Sequence, residues 1–269
     1  MFQRTVLLTG ASGHVAQLLM PGLGEYSLRL ADRARPEAMA ALAAESAGEG
    51  ADQGDVHADV HVGDLADRAF AADVVKGVDT VVHLAANPNA GAAWDDLASP
   101  NIESVVAVLE AAQRADVRRV VLASSVHAMG AYVQQERHPV DPEWPPAPCC
   151  AYGATKAFGE ALGRTYSYRT GLSVVCLRFG GVQKRPQSVG SMATWLAPED
   201  LQHLVVRSIE ASDIRFGVYH GISANTRSEW DIANARADIG YAPTGDSETF
   251  LDQLDPHAAR GLCARGPLA

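Results

Sequence analysis

Thr5-Val6-Leu7-Leu8-Thr9-Gly10-Ala11-Ser12-Gly13-His14-Val15-Ala16 decides the fold of this 269-residue chain. Thr5 to Thr9 is a short apolar, β-branched run, which reads as a buried strand. Small residues follow at Gly10, Gly13 and Ala16, and Val15 to Met20 has the apolar character of a helix. Gly10 permits a tight turn, Gly13 lets the backbone approach a phosphate, and Ala16 lets the helix pack on the strand. The N–H groups that open the helix, from Ser12 through His14 and Val15, would then face a pyrophosphate. Strand, glycine turn and helix in this order are the context that a dinucleotide-binding unit requires.

Working outward, Ser27 to Ala31 forms the next strand and ends in Asp32, about 20 residues after the glycines. A carboxylate at that spacing accepts hydrogen bonds from an adenosine ribose and repels a 2′-phosphate, which favours NAD. Arg33 leaves NADP open. Strand patterns near 4–9, 27–31, 57–62, 79–84, 118–124 and 173–178 alternate with helical patterns near 13–20, 66–75, 99–115, 152–169, 198–211 and 228–238. Alternation of this kind predicts an α/β Rossmann fold, a doubly wound parallel sheet with helices on both faces. The division is into a dinucleotide-binding domain over 1–180 and a small C-terminal substrate-binding lobe over 181–269, integrated with the first. Residues 34–55 lack a hydrophobic stripe and read as an exposed insertion. Residues 136–150, with five prolines, read as a loop over the active site, and 181–197 as a substrate loop. The last dozen or so residues read as a frayed end.

Tyr152-Gly153-Ala154-Thr155-Lys156 carries the chemistry. Residues four apart share a helix face, so the Tyr152 phenol and the Lys156 ammonium can point into one pocket. A free tyrosine loses its proton near pH ~10, and a nearby cation lowers that value. A tyrosine tuned in this way can exchange a proton with an alcohol or ketone. Only Lys76, Lys156 and Lys184 are lysines among 22 Lys and Arg, so a lysine at this spacing stands out from a surface where arginine is the default cation.

These features resemble the extended, epimerase-like branch of the short-chain dehydrogenase/reductase superfamily, from about Thr5 to Gly181. Val60 to Leu65 ends with the Asp64-Leu65 pair that lies near adenine in that family. Val81 to Ala86 resembles the fourth-strand motif, and would pass Leu84, Ala85 and Ala86 under the cofactor. Asn101 resembles the structural and proton-relay asparagine. Val120 to Ser125 resembles the fifth strand, with Ala123 beside the cofactor and Ser125 at the catalytic serine position. Leu177 to Gly180 resembles the segment lining the nicotinamide, with Phe179 against it. The resemblance implies NAD as cofactor, with Tyr152 as base, Ser125 holding the substrate oxygen and Lys156 gripping the ribose. It also implies a homodimer or higher homo-oligomer, through the helices near 99–115 and 152–169.

Within the branch the chain is most similar to the uronate dehydrogenases, which oxidise the anomeric carbon of a hexuronic acid to an aldarolactone. Ser124 to Gly130, Met192 to Asp200 and Gly221 to Asn225 carry that likeness. There are departures. Val126-His127 stands where those enzymes have Asn-His, and the carboxylate-gripping arginine falls on Gly190. Two pocket serines fall on Gly181 and Pro88. His127 remains as a sugar-contacting group, and Lys184 and Arg185 in the same loop could hold a carboxylate from another direction. Three alternatives stand beside this reading: a sugar-nucleotide epimerase, a biosynthetic ketoreductase or alcohol dehydrogenase, and a cofactor-binding sensor. Only 91 residues follow Arg178 (269 − 178), few for a nucleotide-diphosphate lobe. A dehydratase is disfavoured because its Asp-Glu pair is replaced by Val126-His127.

A net charge of −10 argues against nucleic acid and anionic membranes as partners and leaves a small molecule. No apolar run reaches the roughly 18 residues of a membrane span, and a strand begins too early for a signal peptide, so a cytoplasmic location is expected. Cys149, Cys150, Cys176 and Cys263 show no Cys-x-x-Cys spacing, and the histidines show no ligand spacing, so no metal is expected.

Overall fold

The computed structural model describes residues 4–33 and 59–255; the expected insertion at 34–55, the frayed end and Cys263 lie outside the described residues. Seven strands form one sheet: β1 (Thr5–Thr9), β2 (Ser27–Asp32), β3 (Asp59–Val62), β4 (Thr80–His83), β5 (Arg119–Ser125), β6 (Ser173–Phe179) and, beyond the short pair β7 (Gly181–Val182) and β8 (Trp195–Leu196), β9 (Phe216–Gly221). Their order is β3-β2-β1-β4-β5-β6-β9, and every pairing is parallel.

Parallel strands buried on both faces must be apolar at consecutive positions, and Val6, Leu7 and Leu8 are all fully buried. Val6 and Leu8 join Leu30, Val82, Val121 and Val175 in one cluster, which also holds Ala16, Leu204 and Ile239 from the helices of that face. Leu7 joins Val81, Val120 and Val174 in a second cluster with Val74 and Val108. The helices His14–Leu19, Pro198–Glu210 and Ala233–Ile239 therefore cover one face, and Arg68–Val74 and Ser104–Arg114 the other. The order reverses between β1 and β4, and the crevice beyond their carboxyl ends is where an open α/β sheet binds its ligand.

Six strands match the sequence reading. The seventh, Phe216–Gly221, is an addition: it pairs in register with β6, Phe179 opposite Gly221. The helix expected over 228–238 begins only at Ala233, because Trp230 and Val140 form a bridge just before it. The loop at 136–150 packs beside the site instead of over it. Ala147 N–H donates to the Ala128 carbonyl and Cys149 N–H to that of His127, and none of its residues lines the cleft described below.

Two histidines are buried in this frame, His83 at the end of β4 and His220 in β9. Burial holds both down to about 3, with the Lys156 charge adding to the effect on His83 and that of Arg178 on His220. Both are neutral when folded and titrate near 6.5 when unfolded. Stability is therefore intact above pH ~6.5 and falls as the pH drops toward 3, by about 1.4 kcal/mol per unit for each histidine. Denaturant midpoints measured from pH 7 to 4 should show this slope, and His220→Gln should make it shallower. An unchanged slope in that variant would exclude His220 as a source.

Candidate active site

The cleft at the strand reversal has a volume of about 870 Å³ and runs from Asp32 to Thr194. Its floor is the glycine turn. Gly10 has φ +68°, and a Cβ there would stand 2.7 Å from the Ala85 nitrogen, so only glycine lets the turn lie against the end of β4. Gly10 N–H donates to the Ala31 carbonyl. Asp32 closes the same corner by accepting from Ser12 N–H at 2.9 Å and Arg33 N–H at 2.6 Å.

Gly13 is the N-cap of the first helix and offers no side-chain cap, which leaves the helix-opening N–H groups to an external anion. Ser12 Oγ is buried with no hydrogen-bond partner among the described residues. An orphaned hydroxyl, uncapped N–H groups and a ribose-seeking carboxylate suit a dinucleotide diphosphate. His14 Nε2 lies 3.1 Å from the Val182 carbonyl and ties this turn to the loop after β6.

Arg33 sits 3.9 Å from Asp64 across the adenine end. Its charge is thus shared with a carboxylate, which weakens any pull on a 2′-phosphate. Asp32→Ala is expected to raise KM for NAD about tenfold or more and to narrow the preference over NADP. Initial rates against each coenzyme measure this, and an unchanged KM would remove Asp32 from the ribose site.

The helix Ala151–Thr170 delivers Tyr152 and Lys156. Its N-cap is Cys150, whose Sγ accepts from Gly153 N–H at 3.4 Å. A Cβ at Gly153 would collide with the His127 carbonyl oxygen, so glycine sets the approach of helix to strand end. Gly171, at φ +82°, ends the helix. Register places Ser125, the last residue of β5, opposite Phe179 of β6, and both line the cleft.

Tyr152 faces Ser125, yet burial pushes its phenol up to about 12, with Ser125 pulling the other way and the charge of Cys150 pushing with burial. Lys156 donates to the Ala123 carbonyl at 2.9 Å and lies 5.6 Å from the Tyr152 ring centroid. Burial holds its ammonium down to about 8. The expectation of a tyrosine lowered by lysine is thus corrected. Burial of the phenol itself is the largest effect and outweighs any attraction from Lys156, which at about 8 still carries most of its charge at neutral pH.

Asn101 lies in a π-helical turn, Ala98–Glu103, at the head of the helix Ser104–Arg114. Pro100 has no N–H to give, so the regular bonding pattern breaks there. Asn101 accepts from Asn87 N–H at 2.7 Å and donates to the Asn87 carbonyl and to Thr155 Oγ1, each at 3.1 Å. It braces the catalytic helix.

The cleft brings together Gly10, Ser12, Gly13, His14, Val15, Asp32, Arg33, Asp64, Leu65, Leu84, Ala85, Ala86, Ala123, Ser125, His127, Tyr152, Lys156 and Phe179. Arg185 is not among its walls. With Lys184 it lines a neighbouring pocket of about 510 Å³ that shares His14, Gln183 and Gln187 with the cleft. Pro88, Gly181 and Gly190, where the resemblance placed polar groups, do line the cleft. Neutral hydrogen-bonding residues stand nearby: Gln183, Gln187, Ser188, Ser191 and Thr194.

Trp195, Asp200, Ser223 and Asn225 prove to be scaffold. Asp200 accepts from Ser223 Oγ–H at 2.5 Å and from Thr244 and Gly245 N–H at 2.8 and 3.0 Å. Asn225 donates to the Trp195 carbonyl at 2.8 Å. Behind Ser125 lies a network that sequence reasoning missed. Glu160 accepts from Arg178 through two bonds of 2.8 Å and from Ser124 Oγ–H at 2.5 Å, with all three side chains buried.

Residues 6–183 match the model of the NAD dependent epimerase/dehydratase family. The chain belongs to that family. A uronate dehydrogenase from Pseudomonas putida is 35% identical over 94% of this chain and 89% of its own length. An NAD-dependent glucose-6-phosphate dehydrogenase from Haloferax volcanii is 35% identical over 93% of this chain and 97% of its own. The crystal structure of a mutant uronate dehydrogenase from Agrobacterium tumefaciens, complexed with NAD, superposes with a TM-score of 0.82 at 26% identity. It covers 95% of this chain and 91% of that one. Family members are NAD dependent, and the cleft described above holds the features an NAD site needs. No helix among the described residues is long and apolar enough to cross a membrane.

Proposed function

We propose that this NAD-dependent oxidoreductase oxidises the anomeric carbon of a free sugar to a lactone. The observation that carries the reading is Tyr152, facing Ser125 and one helical turn from Lys156, at the inner end of a nucleotide cleft. NAD, held by the glycine turn, Asp32 and Lys156, supplies the hydride acceptor. Ser125 donates a hydrogen bond to the sugar hydroxyl oxygen and holds it beside Tyr152. Tyr152 takes the hydroxyl proton. Lys156, anchored on the Ala123 carbonyl, grips the nicotinamide ribose. Asn101 keeps the helix in place and serves as the link toward solvent. His127, at the cleft wall and edge-on to Tyr152 at 5.6 Å, is the candidate sugar ligand.

The sugar end of the cleft has no arginine among its described walls, and Lys184 and Arg185 face the adjoining pocket. This favours a sugar recognised through its hydroxyls, with an acidic group held only where it can reach that second pocket. A uronic acid, the substrate named for the Pseudomonas relative, and a sugar phosphate, named for the Haloferax one, are the acidic candidates. Incubation with NAD and L-arabinose, glucose, glucose 6-phosphate, glucuronate or galacturonate should yield NADH absorbance with at least one. Silence across the free sugars, with isomerisation of a nucleotide sugar and no net NADH, would overturn the reading in favour of an epimerase.

The working place we infer is the cytoplasm, where soluble nicotinamide is abundant. Residues 181–255 are taken as a lobe integrated with the nucleotide domain, a view favoured by the return of β9 to the main sheet. Self-association through the helices Ser104–Arg114 and Ala151–Thr170 is supported by Phe158 and Tyr168, large apolar side chains left exposed on the second helix.

A further inference from the structure

Cys149 and Cys150 are adjacent in sequence, and the chain brings His127 to them from 22 and 23 residues upstream. His127 Nδ1 stands 3.4 Å from Cys149 Sγ and 3.5 Å from Cys150 Sγ. All three potential ligand atoms lie within 4.8 Å of one another, and all three residues are half-buried. No spacing of pairs along the sequence announces this group, because it is assembled across the chain.

The two nitrogen–sulfur distances match the edges of a coordination tetrahedron. Metal–sulfur bonds of ~2.3 Å and metal–nitrogen bonds of ~2.0–2.1 Å, set at tetrahedral angles, put nitrogen and sulfur about 3.6 Å apart. The two observed separations fall within about 0.2 Å of that edge. A pair of thiolates with one imidazole is the donor set of Zn2+ and Cu+. The surroundings hold the ligands still. Cys149 N–H donates to the His127 carbonyl, Cys150 caps the catalytic helix, and His127 sits in the short turn Val126–Ala128 directly after Ser125.

We propose that His127, Cys149 and Cys150 bind one tetrahedral soft metal ion of the Zn2+ class, which braces the turn after the catalytic serine against the start of the catalytic helix. Binding takes both sulfurs as thiolates and the imidazole as neutral, releases to solvent whatever protons these groups still carry, and leaves the fourth position to water or an added ligand. The ion takes no part in hydride or proton transfer. Its role is to clamp Ser125 and Tyr152 at a fixed separation.

The test is titration of the reduced, untagged full chain with Co2+, read by the near-ultraviolet thiolate-to-cobalt charge-transfer band, followed by displacement with Zn2+. This arm needs no sugar, so it is decided whatever becomes of the substrate reading. One equivalent of Co2+ should give the band, Zn2+ should abolish it, and the Zn2+-loaded chain should melt at a higher temperature. Cys149→Ser and Cys150→Ser should each weaken binding at least tenfold. Serine at 150 retains an oxygen to cap the helix, so that variant keeps its fold. No thiolate band, or a band that survives both serine substitutions, would overturn the proposal.

Discussion

Tyr152→Phe is expected to cut turnover by at least 10²–10⁴-fold while leaving NAD affinity within about twofold of the parent. The phenyl ring keeps its packing against Ala92 and Leu97, its partners in a small buried cluster, so folding is not at stake. Only the hydroxyl that faces Ser125 is lost. Because burial holds the phenol up at about 12, the base form is scarce at neutral pH. Oxidation by the parent enzyme should therefore rise with pH between 6 and 9, whereas the residual rate of the phenylalanine variant should not follow that slope. NAD titration by fluorescence and steady-state rates across this range separate the two effects. Parent-like turnover by the variant would remove Tyr152 from the mechanism.

The parts of the molecule that could be read in the sequence are those whose physics is local. β1, β4, β5 and β6 announce themselves because strands buried on both faces carry continuous apolar runs, as in Val6 to Leu8, whereas the outer strands β2 and β3 show themselves by alternation of apolar and polar residues. The glycine turn is legible because φ +68° at Gly10 and its approach to Ala85 exclude other residues. Tyr152 and Lys156 are legible because one helical turn fixes their relation. What escaped depends on long-range partners. Phe216–Gly221 carries two glycines and a histidine, a poor strand by composition, and is one because β6 needs a neighbour. The pKa of Tyr152 followed burial, which no spacing reveals. The grouping of His127 with Cys149 and Cys150 has its third member 22 residues from the nearer thiol. Trp195, Ser223 and Asn225 were informative about kinship, yet these three side chains hold the C-terminal loops together and do not line the cleft, where Thr194 alone of its segment stands.

Glu160→Gln is expected to destabilise the chain by about 3–5 kcal/mol, because it strips the countercharge from a buried arginine. Glu160 and Arg178 are 5% and 2% exposed, so water cannot take over. The pair also ties four segments together: Glu160 from the catalytic helix, Ser124 from β5, Arg178 from β6, and the Pro142 carbonyl, which accepts from Arg178 at 2.9 Å. Ser124 neighbours Ser125, so loosening this network moves the hydroxyl that holds the substrate. A melting temperature lower by on the order of 10 °C is the expected readout for a chain of this length. Below that transition, kcat should fall as well, since the amide leaves one acceptor oxygen for Ser124 and Arg178 where the carboxylate offered two, which loosens the end of β5. Replacing both charges, Glu160→Leu with Arg178→Met, should recover part of the lost stability, because no unpaired charge is left behind. That recovery should come without recovery of kcat. A single variant that melts with the parent would mean that Arg178 finds another partner or solvent, and the ion pair would then have no claim to hold the floor of the active site.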